Sequence, residues 1–176
     1  MQVSQRFKTV LVALIVLVTV GCDQATKHIA NTSLDRDARI RVLGDFFVLQ
    51  YATNTGAFLS LGANLPENVR FWLLTVFTGA VLLVLAYVLW SNPSLVLYDI
   101  IAMALLLSGG IGNLIDRSLR NGIVIDFMIL SAGPLRTGVF NVADVAVMAG
   151  VFLLLGARFF APAPRKKERV DGPEDA

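Results

Sequence analysis

The chain has 176 residues, of which 56% are hydrophobic and only 16% are charged, and its mean hydropathy is +0.69. This composition excludes an ordinary soluble domain, and the length suffices for one membrane-embedded bundle. The formal net charge of +2 is too small to indicate a basic surface that binds nucleic acid, so no nucleic-acid partner is expected. We expect a single integral-membrane domain over residues 1–160.

Four segments match the length and apolarity of membrane-spanning helices, for which about 20 apolar residues are needed. They cover about residues 9–30, 71–90, 99–117 and 140–160. Trp72 and Trp90 lie at the two ends of the second segment, where interfacial anchors are typical. The sequence therefore predicts a mainly α membrane protein with four transmembrane helices.

Two longer connections leave the membrane, over about residues 31–70 and 118–139. The first contains Phe46-Phe-Val-Leu-Gln-Tyr51, which is rich in β-forming residues and is followed by the turn-like string Asn54-Thr-Gly56. This pattern predicts a small extracytoplasmic β-sheet element. The tail, residues 161–176, is rich in proline and charge and is predicted to be disordered and cytoplasmic.

An even number of spans places both termini on one side of the membrane. Seven Lys and Arg residues lie with the termini and eight lie on the other side or at its helix ends, so charge counting does not orient the chain. The dense group Arg165-Lys-Lys167 directly follows a span and favours cytoplasmic termini.

Cysteine and histidine each occur once, as Cys22 and His28. The chain therefore lacks an intrachain disulfide and the ligands of an ordinary zinc site, and we expect no metal and no cofactor. Thr19-Val-Gly-Cys22 approximates the lipobox of a lipoprotein, but three further spans argue against a cleaved lipoprotein.

The third span carries a stripe of small residues and ends in a polar face. Ala104, Ser108 and Gly112 recur every four residues, which favours close contact with a neighbouring helix. The polar face comprises Asn113, Asp116 and Arg117. Two readings stay open: an interfacial ion pair between Asp116 and Arg117, or an Arg117 that donates to a peptide carbonyl while Asn113 and Asp116 hold it.

Two aspartates, Asp126 and Asp144, stand at the edges of apolar segments, where a carboxylate is costly. If the two meet, repulsion prevents both from ionising freely, and they titrate as a coupled pair. One carboxylate can then activate water while its protonated partner donates to the scissile amide. The alternative, two unrelated polar residues that cap helix ends, stays open at this point.

Five strings together resemble the bacterial lipoprotein signal peptidases, or signal peptidase II, in order, spacing and membrane context. They are Asp23-Gln-Ala-Thr-Lys27, Asn54-Thr-Gly-Ala57, Gly109-Gly-Ile-Gly-Asn-Leu-Ile-Asp-Arg117, Gly122-Ile-Val-Ile-Asp-Phe127 and Phe140-Asn-Val-Ala-Asp144. Two details depart from the family pattern: Phe58 follows Ala57, and residues 133–139 contain no aromatic side chain.

The resemblance implies an inner-membrane aspartic endopeptidase that removes the signal peptide from prolipoproteins, just before a diacylglyceryl-modified cysteine. It implies Asp126 and Asp144 as the catalytic pair. Supporting and substrate-binding roles fall on Asn54, Asn113, Asp116, Arg117, Asn141, Asp23 and Lys27. The expected partners are lipidated prolipoproteins and membrane lipids, the site is expected at the extracytoplasmic face, and the enzyme is expected to be a monomer. The rival hypothesis is a small transport or assembly subunit whose polar helix ends line a path.

Overall fold

A computed structural model describes residues 3–56, 62 and 64–160 of the protein. Its four helices are α1 (Gln5–Ser33), α2 (Glu67–Ser91), α3 (Leu97–Leu119) and α4 (Val142–Phe160). Each overlaps one of the four predicted spans, which confirms the predicted fold class. The predicted disordered tail at 161–176 and the departure at Ala57 and Phe58 lie outside the described residues.

The exterior of the helices is apolar, as expected of surfaces that face lipid. Leu83 and Tyr87 of α2 and Leu17 of α1 are exposed. Within the described residues, α1, α2 and α3 are long and apolar enough to cross a membrane, and the apolar part of α4, Val142–Gly156, is shorter. The chain is therefore an integral membrane protein.

The helix α2 contains a change of helical type. It begins as an α-helix over Glu67–Phe71, continues as a π-helix over Trp72–Phe77 and returns to an α-helix over Thr78–Ser91. Short π-helical turns occur mostly inside α-helices and often at functional sites. The π-helical turn Trp72–Phe77 lies near the start of a span, and its wider turn points side chains in directions that a regular α-helix would not give them.

The helices α3 and α4 approach each other closely because small residues line their contact. Ala104 and Ser108 are fully buried, as the stripe in the sequence predicts. A Cβ atom at Gly109 would collide with the backbone carbonyl of Ala143, and one at Gly112 would meet an oxygen of Asp23. The glycines thus admit both α4 and a polar side chain of α1 to the same short stretch of α3.

Four antiparallel strands form one sheet in the order β1 (Ile40–Arg41), β2 (Phe47–Asn54), β3 (Val124–Ala132) and β4 (Leu135–Arg136). The sequence predicted strand-forming residues only in the first connection. The second connection supplies β3, whose apolar residues Ile125 and Phe127 are buried against Ala30 and Tyr51.

The register of the sheet positions Asp126. Strand β3 pairs with β2 so that Asp126 lies opposite Ala52. The carbonyl of Phe140 accepts hydrogen bonds from the N–H groups of Phe127 and Met128, at 3.0 and 2.9 Å. These bonds hold β3 against the residues that lead directly into α4.

We predict that Gly109→Ala destabilises the protein, because the added methyl group meets the backbone of Ala143 and cannot be relieved by a side-chain rotation. Overpacking of this kind costs about 1–3 kcal/mol, which thermal unfolding in detergent should detect as a lower Tm. The matched control is Gly156→Ala on α4, where the new methyl group meets nothing within 4 Å. An unchanged Tm for Gly109→Ala would contradict the close approach of α3 and α4.

Candidate active site

The carboxylate of Asp126 is buried on β3, with the residue only 2% exposed. Two side-chain amides donate to it: Asn54 Nδ2 to Oδ2 at 3.0 Å and Asn141 Nδ2 to Oδ1 at 2.6 Å. Asn54 is oriented in turn by the N–H of Gly56, which donates to its Oδ1 at 2.9 Å. The carboxylate therefore sits in a fixed position between two strands and the start of α4.

Asp144 lies in the first turn of α4 and forms a capping box with Asn141. The Asp144 N–H donates to Asn141 Oδ1 at 3.0 Å, and the Asn141 N–H donates to Asp144 Oδ2 at 3.2 Å. This reciprocal pattern satisfies N–H groups that every helix start leaves without an intrahelical partner. Asn113 Nδ2 of α3 donates to the other oxygen, Oδ1, at 2.9 Å.

Asn141 brings the two acids together. Its side-chain Nδ2 donates to the carboxyl group of Asp126. Its side-chain Oδ1 accepts from the Asp144 N–H, and its own N–H donates to Asp144 Oδ2. Both carboxyl groups are thus within hydrogen-bonding distance of one residue, as the hypothesis of a coupled pair requires. Each oxygen of the pair accepts one of the hydrogen bonds just described, which leaves lone pairs for a proton or a water molecule.

The buried ammonium group of Lys27 is hydrogen-bonded to residues that hold this pair. Lys27 Nζ lies 2.8 Å from Asp23 Oδ2, 3.0 Å from Asp116 Oδ2 and 3.0 Å from Asn113 Oδ1, which matches its three donors. Lys27, Asp23 and Asp116 are all fully buried. Asn113 also accepts from Asn141 Nδ2 at 3.1 Å, so Lys27 is linked to Asp144 through Asn113 and to Asp126 through Asn113 and Asn141.

Two of these buried acids also organise the backbone of the site. Asp23 Oδ1 accepts from the Ala143 N–H at 2.9 Å, in the first turn of α4. Asp116 Oδ2 accepts from the Ile125 N–H at 3.2 Å, next to Asp126 in the chain. The α1 and α3 residues that bind Lys27 therefore also fix the segments that carry the two candidate catalytic acids.

Sequence reasoning missed one member of the cluster. Gln24 Nε2 lies 3.1 Å from Asp23 Oδ2, 3.2 Å from Asp116 Oδ1 and 3.2 Å from the Gly112 carbonyl, and thereby links α1 to α3. Its place in the string Asp23-Gln-Ala-Thr-Lys27 was the available signal. No role could be derived from it because Gln24 acts on residues about ninety positions away.

Arg117 takes a different position from the one that either reading of the sequence described. Its Nη2 donates to the carbonyl of Gly56 at 2.9 Å, so it does bind a peptide carbonyl. Asn113 and Asp116, however, bind Lys27 instead of supporting Arg117. Among the described residues, the ion pairs of Asp116 are with Lys27 and with the partly exposed Arg120, whose Nε lies 3.5 Å away.

The surroundings of Asp126 favour its protonated form. Burial, and next the nearby negative charge of Asp144, raise the pKa of Asp126 to about 6. Hydrogen bonds from Asn54 and Asn141 and the charge of Lys27 act in the opposite direction and limit the rise of this pKa. Asp126 therefore changes protonation state within the range in which most enzymes work.

An apolar cleft of about 520 Å³ opens beside Asp144. Its walls include Leu130 and Phe140 from the region of β3 and Val145, Met148 and Phe152 from α4. Because Val145 and Phe152 are exposed on a membrane-embedded helix, the cleft continues onto the lipid-facing surface. It can admit an apolar group from the bilayer to the carboxylates.

Comparison with known proteins decides the family. The model of the family described as signal peptidase (SPase) II matches residues 15–160. The chain belongs to this family. Lipoprotein signal peptidases of Sphingopyxis alaskensis and Moorella thermoacetica are 38% and 37% identical to it, over 76% and 80% of the chain and 76% and 87% of their own lengths.

The fold agrees with this assignment. A solved structure described as a bacterial membrane enzyme superposes with a TM-score of 0.78 and 28% identity, covering 91% of this chain and 94% of the other. The family resemblance found in the sequence is thus confirmed, and the chain is a peptidase that removes signal peptides from prolipoproteins. The rival hypothesis of a transport or assembly subunit is discarded.

We predict that Lys27→Met unfolds or severely destabilises the enzyme, because it leaves the fully buried Asp23 without a cation. Breaking a buried ion pair on one side costs about 3–5 kcal/mol, whereas replacing both partners by neutral groups is far better tolerated. Lys27→Met combined with Asp23→Asn should therefore recover much of the lost stability, since Arg120 remains to balance Asp116. Thermal unfolding of the two variants in detergent measures this. A double variant no more stable than the single one would argue against the network.

Proposed function

We propose that the enzyme is an aspartic peptidase in which Asp126 and Asp144 together activate water. The observation that carries this proposal is Asn141, whose side-chain Nδ2 donates to the carboxyl group of Asp126 and whose backbone N–H donates to that of Asp144. Two acids held this close share a proton, because both cannot ionise freely. Asn54, Asn113, Asn141, Asp116, Arg117, Asp23 and Lys27 are proposed to position the pair or the substrate.

In the proposed reaction, the ionised carboxylate takes a proton from a water molecule as that water attacks the scissile carbonyl carbon. The protonated partner donates to the carbonyl oxygen. As the resulting gem-diol collapses, one carboxyl group donates to the leaving nitrogen and the other carboxylate takes back a proton from a hydroxyl of the gem-diol. The C–N bond breaks and the pair ends with a single proton. Asn141 and Asn113 hold the two carboxyl groups in place throughout.

We further propose that cleavage occurs just before a diacylglyceryl-modified cysteine. The apolar cleft that joins Asp144 to the lipid-facing surface supports a lipidated substrate, since the acyl chains can remain in an apolar environment. A substrate that arrives laterally in the bilayer keeps its lipid out of water while the amide meets the aspartates. The substrate class is then a lipidated prolipoprotein, bound by one copy of the chain.

The proposed orientation has both termini in the cytoplasm of a bacterial cell, with the enzyme in its inner membrane and the aspartates at the extracytoplasmic end. The contacts of α1 support the placement of the N-terminus and the aspartates at opposite ends of the bundle. Lys8 Nζ donates to the carbonyl of Asn92 in the α2–α3 connection, at 3.2 Å. Asp23 and Lys27, further along α1, contact the other end of α3. The aspartate pair and the N-terminal segment are therefore at opposite ends of the bundle.

Neither Asp126→Asn nor Asp144→Asn should process a diacylglyceryl-modified prolipoprotein, because each removes one of the two proton-transfer groups. We expect a loss of at least about 10³-fold in kcat, in line with the removal of an essential acid or base. The assay is cleavage by purified enzyme, with Tm measured in parallel to show that the variants fold. Asp45→Asn is the matched control, since the Asp45 side chain is 69% exposed and pairs only with Arg41 in the described region. Substantial turnover by either active-site variant would refute the proposed pair.

The activity should decline as the pH rises through about 6 and above, because Asp126 then loses the proton that the reaction needs. Asn54→Ala removes a hydrogen bond that favours the charged form, so the pKa of Asp126 rises and the alkaline limb of the profile moves to higher pH. The measurement is kcat/KM against pH for both proteins, read as the property of a coupled pair. A limb that stays in place, or moves to lower pH, would count against Asp126 as the titrating acid.

A further inference from the structure

A second cleft, of about 480 Å³, lies between the start of α2 and the end of α3. It differs from the apolar cleft because its walls combine charged, polar and apolar side chains. They include Glu67, Arg70, Phe71, Leu74, Thr75 and Arg117. Arg117 connects this mixed cleft to the candidate active site, because its Nη2 donates to the carbonyl of Gly56, whose N–H orients the Asn54 that donates to Asp126.

Two donors that line the mixed cleft are buried and have no hydrogen-bond partner among the residues that the structure describes. They are the Nε–H of Arg117 and the hydroxyl of Thr75. Buried polar groups are nearly always hydrogen-bonded, and leaving one unsatisfied costs about 1–3 kcal/mol. Two such groups in one cleft indicate that a ligand atom completes them.

The hydroxyl of Thr75 differs from three threonine hydroxyls of α1. Thr9, Thr26 and Thr32 of α1 each donate to the carbonyl four residues earlier, at 3.0, 2.7 and 2.9 Å. Thr75 lies within the π-helical turn Trp72–Phe77, and its hydroxyl has no such bond. The wider turn thus coincides with a hydroxyl that is left available for a ligand.

The chemistry of the walls selects the ligand. Arg117 Nε is only a donor, so the ligand must supply acceptors. Glu67 offsets one of the two arginines in the walls, so no anion is required. Phe71 and Leu74 offer apolar contact, and Phe71 is exposed. Neutral acceptors attached to hydrocarbon, as in fatty-acid esters, meet all three conditions.

We propose that the mixed cleft binds the glyceryl ester groups of the lipidated cysteine, with Thr75 and Arg117 donating to the ester carbonyl oxygens. This inference rests on the proposed cleavage beside a diacylglyceryl-modified cysteine. The glycerol unit is attached to the residue next to the scissile bond, so its ester carbonyls must lie near the aspartate pair. Thr75 is then a specificity residue that tells an ester-linked lipid from one without carbonyls.

The test compares two prolipoprotein substrates, one with the natural diester and one with a diether in which both ester carbonyls are absent. The wild-type enzyme should show about a tenfold lower KM for the diester, the value expected for one or two hydrogen bonds remote from the reacting bond. Thr75→Val removes one of the two donors, so it should raise KM for the diester about threefold, leave kcat unchanged and leave the diether kinetics unchanged. Its Tm should not fall, because the lost hydroxyl has no hydrogen-bond partner in the described part of the chain.

Thr78→Val is the matched control: it makes the same chemical change on α2, outside the residues that line the mixed cleft. It should retain the wild-type preference for the diester. The proposal is overturned if Thr75→Val keeps that preference, or if it weakens both substrates equally, as loss of a phospholipid site would. Neither result bears on the proposal that the two aspartates catalyse cleavage. That proposal is tested separately, and it fails if Asp126→Asn cleaves either substrate.

Discussion

The buried ammonium of Lys27 is the constraint on which the rest of the site depends. It joins Asp23 of α1 to Asp116 and Asn113 of α3, and all three of its donors are matched at 2.8–3.0 Å. Those partners in turn bind the backbone beside Asp126, the first turn of α4 and the side chain of Asp144. A polar network in an apolar bundle is stable only when every member is satisfied, so this one specifies a single arrangement of the helices.

Charge balance connects this network to the proposed chemistry. Asp23 and Asp116 are offset by Lys27 and Arg120, which are their ion-pair partners. Arg117, which interacts with both acids of the pair, supplies one further positive charge. If the pair holds one proton, its single negative charge cancels that of Arg117 and the whole cluster is neutral. Ionising both acids, or protonating both, would leave a net charge in a poorly solvated site, which favours the state that the proposed reaction uses.

Hydropathy predicted the helices because membrane spans follow from the composition of about twenty consecutive residues. The stripe of small residues that ends at Gly112 predicted that α3 packs closely against its neighbours. Asp126 and Asp144 were identifiable because carboxylates near lipid are rare. The pairing of β2 with β3 was not predictable, since it joins segments about seventy residues apart and β3 is apolar on both faces. Lys27 also lies far in the chain from Asn113 and Asp116. The sequence therefore could not show that these two residues bind Lys27 and not the neighbouring Arg117.

The location of the candidate active site at a helix start also has a physical cause. A span that begins at the membrane surface exposes N–H groups that need acceptors, in the region where acceptors are scarce. Asn141 and Asp23 satisfy two of these groups in α4, and the positive end of the helix dipole favours the carboxylates placed there. Polar side chains that would be costly elsewhere in the bundle are therefore stabilising at this point. The hydrogen bonds that cap α4 therefore also bring the two acids together, because Asn141 takes part in both.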